Sequence, residues 1–595
     1  MKKTVLLIFA FLSVVIPLTA GAFETVRWDN GTELTIYGFL QNNSAMFTQN
    51  PNPWGPTGGQ SGNRLAIERT WLRTNIDLKL SDQFRFYVVG QWAYEPWLPV
   101  EQSNGPGARK ASMGNGNEYS MYKNVNDVLR EVYFEWKPNA KNDVRIGRMN
   151  VIWGETITGR VGDVVNPTDI RWTLPYSLEP TDDLRIPQYM IRGMHDIEPL
   201  NSSIEWIVSP IITSPEWSVS MADQPASLFL NQAGQRFGMA PETRYLPPRT
   251  IGNTAVALLD PNLAPYADFN VVDASPFNSA WNFSPLNPGN GWSPSLIEPN
   301  LFTGNTRITN EIPDVRVKYP DGIENTRFGL RTATTLGGFN FGAIYYHRQV
   351  FEPVIRREGV EKTDTVSFPT GPATSTTIVN KTRQYTVEYP DIENIGFYMN
   401  KQLPWPGVIR AEVMYTPNMP FNYFLPTVQS TVNLGPFSVP ITRFADESGV
   451  TKRDDFKYLI AYDLTGFLYF DWHKTAPINI TFEHVGEWIP NARELQYIGV
   501  GVNYATKLPS WQGNFNLNIT TDWFYGKIST GMVLGYGTFG KSWLAVPSVK
   551  WTPGWMDKKF STELKYVYTD AQNRYEGLGV WKDKNFIQLK AQLAF

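Results

Sequence analysis

The chain has 595 residues, of which 42% are hydrophobic, 14% aromatic and 18% charged, with a formal net charge of −3 and no cysteine. The aromatic content excludes intrinsic disorder, and the nearly balanced charge provides no basic face for nucleic acid. The lack of cysteine excludes disulfides, thiolate metal sites and cysteine nucleophiles. At about 150 residues per domain the length alone predicts about four soluble domains. The arrangement of the apolar residues must therefore decide the class of protein.

The first 22 residues have the pattern of a secretory signal peptide. Lys2 and Lys3 precede an apolar stretch, and Ala20-Gly21-Ala22 supplies small residues for cleavage. We therefore expect a mature chain of residues 23–595, with an uncleaved membrane anchor as the alternative. No later window holds the roughly 18 to 20 apolar residues of a membrane helix. An exported chain of this kind is periplasmic, secreted or a membrane barrel.

Several segments alternate apolar and polar residues with a period of two, which predicts β-strands. In the last segment the apolar face runs from Ile587 to Phe595 and the polar face from Gln588 to Gln592. Similar patterns occur at residues 71–80, 84–94, 514–523 and 560–569. A water-filled lumen accommodates such a polar face, whereas a soluble core excludes it. We therefore predict an all-β fold, a transmembrane antiparallel outer-membrane β-barrel. A last strand that ends in Phe595 resembles the signal by which the barrel assembly machinery recognises its clients.

The lengths of the predicted connections alternate. Short ones are expected near residues 81–83, 138–142, 198–202, 337–338, 403–406, 473–476, 508–512 and 553–558. Longer ones include residues 98–126, 153–187, 212–325, 351–382 and 418–453. Short periplasmic turns and long external loops are typical of outer-membrane barrels. The count predicts roughly 18 strands, or 16 as the alternative, because such barrels have even numbers. A first strand at about residues 33–47 would pair with the last.

Two further patterns concern the membrane surface. Residues 211–320 contain 14 of the 44 prolines, which predicts a long irregular loop that acts as a plug or a cap. Aromatic residues recur near strand ends, where interfacial girdles use them: Trp92, Tyr94, Trp97, Trp136, Trp405, Trp472, Trp511, Trp551 and Trp555.

The run VRIGRMNVIWGETITGRVGDVVNPTDIR at residues 144–171 leads from a strand into a charged loop, and TDDLRIP follows. Such a loop can set a fixed field across a pore, or it can be held by its own ion pairs. Both interpretations stay open. The candidate constriction residues here are Glu155, Arg160, Asp163, Asp169, Arg171, Asp182, Asp183 and Arg185.

Alternation along the predicted strands adds candidates that line the lumen. They are Arg69, Arg73, Asp77, Arg85, Glu131, Glu135, Arg145, Arg410 and Glu412. Because both signs occur, we expect no strong selectivity for anions or cations.

The sequence contains few features that indicate an enzyme. The chain has four histidines, His195, His347, His473 and His484, assigned to different strands or turns, and no HExxH or GxSxG motif. We predict no enzymatic activity, no metal and no cofactor.

An arginine-glycine strand that enters WGE, then DVVNPTD, then an acidic-Leu-Arg-Ile-Pro run, resembles a known family. It is a family of proteobacterial outer-membrane proteins of unknown function, domain of unknown function thirteen-oh-two. The resemblance implies a barrel in the outer membrane of a Gram-negative bacterium, in contact with its lipid and lipopolysaccharide. It also implies association with a periplasmic lipoprotein-localisation-like protein or an exporter of the resistance-nodulation-division (RND) class, and movement of hydrophobic or amphipathic molecules.

We therefore expect a porin-like outer-membrane channel for passive passage of solutes, hydrophobic or amphipathic ones included, narrowed by inward-folded loops. One alternative is a conduit for lipids or hydrophobic compounds that works with an RND-type exporter. Others are a structural or adhesive barrel that displays residues 211–320, and an outer-membrane lipase-like enzyme.

Overall fold

The computed structural model describes residues 25–48, 65–94, 128–154, 161–167, 185–211, 295–299, 305–318, 322–351, 354–423, 427–434, 437–444, 448–470, 473–492, 508–556, 559–572 and 585–595. It also describes the single residues 320, 495 and 582. The predicted signal peptide, residues 1–22, lies outside this part of the chain.

The described residues are almost entirely in β-strands. In chain order the strands are β1 (Val26–Arg27), β2 (Glu33–Phe47), β3 (Leu65–Lys79), β4 (Phe84–Tyr94), β5 (Leu129–Asn139), β6 (Asn142–Met149), β7 (Gln188–Ile197), β8 (Ser202–Ile211), β9 (Ser295–Pro299), β10 (Thr306–Lys318), β11 (Gly322–Leu336), β12 (Phe339–Gln349), β13 (Val354–Gly371), β14 (Thr374–Glu388), β15 (Asp391–Gln402), β16 (Val408–Asn422), β17 (Thr427–Leu434), β18 (Phe437–Phe444), β19 (Val450–Phe470), β20 (His473–Trp488), β21 (Trp511–Trp523), β22 (Ile528–Gly537), β23 (Ser542–Trp551), β24 (Phe560–Ala571) and β25 (Phe586–Ala594). Single-turn 3₁₀ helices cover Glu198–Leu200, Phe539–Lys541 and Gly554–Met556. Among the described residues no helix is long and apolar enough to cross a membrane.

Eighteen of these strands form one closed antiparallel barrel. Around its circumference they run β2 to β8, β11, β12, β15, β16 and β19 to β25, and β25 pairs with β2. At the junction, Gly38 and Phe595 exchange two backbone hydrogen bonds of 2.9 and 3.0 Å. The predicted fold class, the strand number of roughly 18, the first strand at residues 33–47 and its pairing with the last strand are confirmed.

The outer surface of the barrel is apolar. Side chains such as Leu564 (51% exposed) and Phe397 (60% exposed) point away from the lumen, while their sequence neighbours point inward. A closed barrel with such a surface spans a bilayer, and this type occurs in the outer membrane of Gram-negative bacteria. Six of the predicted girdle residues are exposed near strand ends: Trp92, Trp136, Trp405, Trp511, Trp551 and Trp555. Trp97 and Trp472 lie outside the described residues.

The connections are short at one end of the barrel and mostly long at the other, as predicted, with two corrections. The predicted turns at 508–512 and 473–476 fall in or beside strands, since β21 begins at Trp511 and β20 at His473. The short turn after β21 is instead at residues 524–527 and was not predicted. Phe524 and Tyr525 there have φ of 53° and 58°, a conformation that aromatic residues seldom adopt, so the sequence lacks the usual turn residues.

Two small sheets lie outside the barrel, within the long connections. One has the order β13-β14-β10-β9, in which β10 runs parallel to β14, and the other is the β17–β18 hairpin. The prediction of an irregular loop for residues 211–320 is therefore wrong at its C-terminal end, which contains β9 and β10. At Pro313 the strand β10 pairs with β14 but no longer with β9, whose pairing covers residues 306–310, and proline is tolerated in a strand at such an edge position.

Candidate functional site

A part of the β6–β7 connection lies inside the barrel. We call residues 151–154, 161–167 and 185–187 the inserted segment. Five of its apolar side chains are each no more than 5% exposed, namely Val151, Trp153, Val161, Val164 and Val165, whereas Ile152 is 46% exposed. Loops usually run over the surface because their backbone needs water. Burial of this one requires that the lumen wall supply both apolar contacts and hydrogen bonds.

The apolar contacts come from a wide arc of the barrel. Since β5 and β19 are separated by seven strands on one side and nine on the other, their contacts lie nearly across the lumen from each other. The wall residues of this cluster are Tyr133 on β5, Met149 on β6, Met190 on β7, Ile207 on β8, Ile344 and Tyr346 on β12, Tyr398 on β15, Met414 on β16, and Leu459 and Ala461 on β19. The inserted segment therefore spans the lumen.

Trp153 is the centre of this cluster and is fully buried. Its ring meets Tyr346 edge to face, with centroids 5.5 Å apart, and its Nε1 donates a 2.9 Å hydrogen bond to Oε1 of Glu205 on β8. Gly329 on β11 allows this approach, because a Cβ there would lie 2.7 Å from Cη2 of Trp153. The wall is shaped to receive this indole.

A second fixed point lies at Gly162. Its backbone N–H donates a 2.7 Å hydrogen bond to Oε2 of Glu412 on β16. A Cβ on Gly162 would lie 3.0 Å from that same oxygen and 3.2 Å from the Cα of Gly154, so two glycines bring the two parts of the segment together. The segment is thus bonded to β8 through Trp153 and to β16 through Gly162.

The ends of the inserted segment are joined by polar contacts. The Asn166 side chain accepts from the Val151 N–H at 2.8 Å and donates to the Ile186 carbonyl at 2.9 Å. Arg185 and Asp163 form a buried ion pair, with Nη2 and Oδ2 2.7 Å apart. For these two residues the structure favours the ion-pair interpretation, because each charge is satisfied within the connection.

Ion pairs cross the lumen wall nearer the short turns. We call this set the charged belt: Asp77, Arg85, Glu135, Arg145, Arg192, Glu205, Arg331, Arg410 and Asp463. The shortest pairs are Arg85–Asp77 (Nε to Oδ1, 2.6 Å), Arg192–Glu205 (2.6 Å) and Arg410–Asp463 (2.6 Å). Glu135 joins Arg145 at 3.1 Å and Arg85 at 3.8 Å, and Glu205 lies 3.8 Å from Arg331. Each arginine of the belt therefore has a carboxylate beside it.

At the short-turn end a cavity of about 260 Å³ opens beside the belt. Asp77, Arg85 and Glu135 line its inner side, and Lys79 and Asp82 line its rim. A hydrogen bond from Lys79 lowers the pKa of the Asp82 carboxyl below its ordinary value.

A family model described as "Protein of unknown function (DUF1302)" matches residues 3–595. The chain belongs to the DUF1302 family. The resemblance inferred from the WGE, DVVNPTD and Leu-Arg-Ile-Pro motifs is therefore confirmed. In this DUF1302 protein those motifs contribute Trp153, Asp163, Asn166 and Arg185 to the inserted segment.

Solved structures include barrels similar to this DUF1302 protein, whereas no curated protein matches it. Acinetobacter baumannii OccAB4 is 4% identical, with 97% of this chain and 100% of that chain covered and a TM-score of 0.40. Pseudomonas aeruginosa OccK8 (OprE) is 7% identical, with 94% and 98% covered and a TM-score of 0.39. The outer membrane channel DcaP of Acinetobacter baumannii is 8% identical, with 96% and 99% covered and a TM-score of 0.33. At these identities nothing about the solute of the DUF1302 protein follows.

The structure brings many of the residues predicted for the pore together. Asp77, Arg85, Glu135, Arg145 and Arg410 lie in the charged belt, while Glu412, Asp163 and Arg185 hold the inserted segment. Glu131 accepts a 3.2 Å hydrogen bond from the N–H of Asn150, where β6 leads into that segment.

The other predicted residues lie elsewhere. Arg69 and Arg73 are on β3, outside the belt, and the Arg69 guanidinium lies 5.2 Å from the Trp71 ring centroid. Glu155, Arg160, Asp169, Arg171, Asp182 and Asp183 lie outside the described residues.

Sequence reasoning missed several residues of the site. Arg192, Glu205, Arg331 and Asp463 occupy lumen-facing positions that the period of two would have revealed once their strands were in register. Trp153 has no such signal, because its partners on β8 and β12 are distant in sequence.

The four histidines form separate structural contacts. His195 contacts Asn142, His347 contacts Glu393, His473 contacts Thr521 and His484 contacts Tyr458. His473 and His484 lie on the same strand, β20, which corrects the assignment to different elements. Among the described residues no group of three or more His, Asp or Glu side chains is arranged for a metal ion.

Proposed function

We propose that this protein is an outer-membrane channel for passive passage of small solutes, with its lumen restricted by the inserted segment. The observation that carries this proposal is the pair of hydrogen bonds from Trp153 to Glu205 and from Gly162 to Glu412. They hold one loop across the barrel interior. A loop fixed in this way sets the cross-section available to a solute, as constrictions do in channels.

The charged belt supports a preference for solutes that carry both polar and apolar groups. Its arginines and carboxylates are interspersed around the wall. Several rings lie beside them, such as Tyr133 and Tyr398, whose centroids are 5.5 and 4.8 Å from the guanidinium carbons of Arg145 and Arg331. Paired charges produce little net field, so selectivity between small anions and cations is weak. An amphipathic or zwitterionic solute finds a partner for each of its groups.

The alternative of a conduit for hydrophobic compounds receives no support from the apolar cluster around Trp153. That cluster is filled by the inserted segment and so holds the loop in place. Cooperation with an RND-type exporter or a periplasmic lipoprotein, contact with lipopolysaccharide, and recognition of Phe595 by the barrel assembly machinery stay predictions. The adhesive and lipase-like alternatives depend on residues 211–320 and on the histidines, and no contact of the described residues favours them.

Conductance of the refolded protein in planar bilayers tests the proposal. Trp153→Ala removes the centre of the cluster, a loss of about 3–5 kcal/mol in buried packing, which frees the segment from the wall. We expect single-channel conductance to rise in this variant. Trp92→Ala is the matched control, because Trp92 is 62% exposed on the outer surface. Heat-modifiable migration in SDS gels reports whether each barrel is folded. Folded wild-type and Trp153→Ala proteins that both fail to conduct would overturn the proposal.

A further inference from the structure

The backbone ladder of the barrel is interrupted between β23 and β24. Residues 542–545 pair with 568–571, and residues 548–551 pair with 562–565. The register is the same on both sides of the interruption, so no bulge is present. Two backbone pairs are missing from the ladder, Val546 with Val567 and Pro547 with Tyr566. This pattern follows from one missing hydrogen bond, the one that an N–H at position 547 would donate to the Tyr566 carbonyl.

Pro547 differs from the other prolines of the barrel strands in its position. Pro138, Pro210 and Pro420 lie within two residues of a strand end, Pro417 lies in the register shift between Thr416 and Met419 of β16, and Pro477 lies beside the register shifts near the β19–β20 turn. Pro547 is the sixth of the ten residues of β23, in the middle of that strand. A mid-strand proline without a bulge is unusual, because an unsatisfied carbonyl within the hydrocarbon region is costly.

The wall is apolar on both faces at this height. Trp543, Val549 and Leu564 are exposed on the outer face, at 58%, 48% and 51%. On the lumen face a contiguous group extends across four strands, and each member is no more than 2% exposed: Leu544, Val546, Val567, Phe586 and Phe47. An apolar chain that passed between β23 and β24 would therefore meet apolar groups on both sides.

A cation marks the lumen side directly below the interruption. Lys565 pairs with Ser548, the first pair after the gap on the short-turn side, and its side chain points into the lumen. On the neighbouring strand β25, Lys590 lies 3.2 Å from Glu563 of β24. The group around the gap thus combines an apolar surface with a basic residue at one end of it.

We propose that the wall between β23 and β24 opens at Pro547 as a lateral route between the bilayer and the lumen, for amphipathic molecules with an apolar chain and an anionic head. The chain lies against Val546, Val567 and Phe586, and the head lies at Lys565. The apolar group is buried in this structure, so the route is closed at rest. The proposal deepens the channel function proposed above, since it adds an opening from the membrane.

A reversible disulfide across the gap tests the route. The pattern of missing pairs makes Val546 and Val567 the narrow, non-hydrogen-bonded position, where Cα atoms are about 4.5 Å apart, within the range for a disulfide. Because the chain has no cysteine, Val546→Cys/Val567→Cys contains only this pair. Leu534→Cys/Ala545→Cys, in the uninterrupted β22–β23 ladder, is the matched control.

The probe is a photoactivatable diazirine analogue of palmitic acid in vesicles that contain the full-length protein, and its methyl ester is the neutral comparison. The readout is labelling of lumen-facing Phe586 relative to outward-facing Leu564, measured by mass spectrometry. We expect oxidation of the Val546/Val567 pair to abolish Phe586 labelling and reduction to restore it, with no effect in the control pair.

A second variant does not depend on a disulfide. Pro547→Val restores the missing donor, and one added hydrogen bond of typical strength lowers opening, and with it Phe586 labelling, about fivefold. Unchanged labelling in both the oxidised pair and Pro547→Val would overturn the proposal. Equal labelling by acid and ester would overturn the anionic head.

Conductance measured on the same samples separates this proposal from the channel function. If oxidation of the Val546/Val567 pair leaves Phe586 labelling unchanged while potassium chloride conductance is normal, the lateral route fails and the channel function stands. If the wild type labels at Phe586 but never conducts, the channel proposal fails and the route stands.

Discussion

At the scale of single residues, Glu412 shows how a buried charge can hold a loop. The side chain is 4% exposed, and burial of a carboxylate is costly unless donors satisfy it. One such donor is the backbone N–H of Gly162, 250 positions earlier in the chain. A charge-assisted hydrogen bond of this kind is about twice as strong as a neutral one, so a single carboxylate stabilises the inserted position of the segment.

Substitution of Glu412 should destabilise the bound position of the inserted segment while the barrel stays folded. In Glu412→Ala the Gly162 N–H loses its acceptor, at a cost of about 1–3 kcal/mol, so departures of the segment become about 5- to 150-fold more frequent. Glu412→Gln retains an acceptor oxygen and should behave much more like the wild type. Current fluctuations in single-channel recordings measure the difference. Equal fluctuation rates in Ala and Gln variants would show that this bond does not hold the segment.

At the scale of elements, the charged belt follows from strand register. Arg145 on β6 is directly opposite Arg192 on β7, and like charges in that position are destabilising. Glu135 on β5 and Glu205 on β8 flank this pair and compensate it. The belt therefore works as one electrostatic unit across neighbouring strands, and a change at one member exposes the charge of its partners.

Removal of one belt charge should shift ion selectivity in a direction set by its sign. Glu205→Gln leaves Arg192 and Arg331 without their carboxylate, so the channel should become more anion-selective. Arg192→Met should produce the opposite shift. Reversal potentials across a potassium chloride gradient measure both, and higher salt should reduce them because the charges are screened. Shifts of the same sign in the two variants would contradict a role for the belt in the pore.

The order of the strands was largely predictable at this scale, while their turns and the segment between β6 and β7 were less so. Period-two alternation alone placed β4 at residues 84–94, because each strand has one lipid face and one polar face. It failed at residues 524–527, where Phe524 and Tyr525 occupy a turn. It also could not reveal Trp153 as a lumen residue, since the contacts with Glu205 and Tyr346 depend on closure of the barrel.

At the scale of the whole molecule, closure depends on the seam between β2 and β25. Gly38 exchanges backbone hydrogen bonds with Phe595, and a Cβ at this position would lie 2.0 Å from the Arg73 carbonyl oxygen and 2.9 Å from Cζ of Phe595. The first, second and last strands of the barrel therefore meet at one glycine. Any side chain there must displace backbone, which the closed ladder resists.

Gly38→Val should impair closure more than it perturbs any single strand. Overpacking costs about 1–3 kcal/mol or more. Here that cost destabilises the pairing of β2 with β25, which closes the barrel. The fraction of protein that migrates as the compact species in unheated SDS gels should drop. Gly359→Ala, where a Cβ would meet nothing within 4 Å, is the control. A normal compact fraction in Gly38→Val would show that the seam tolerates a side chain.

The contacts of the inserted segment also impose an order on assembly. Gly162 and Glu412 are 250 positions apart, and the apolar cluster around Trp153 extends to Leu459 and Ala461 on β19. These pairings cannot form until most of the wall exists, and long-range contacts of this kind form late because loop closure costs entropy. The inserted segment must therefore avoid other contacts until two thirds of the barrel strands have paired. During assembly every molecule therefore passes through a state in which the lumen does not yet hold the inserted segment.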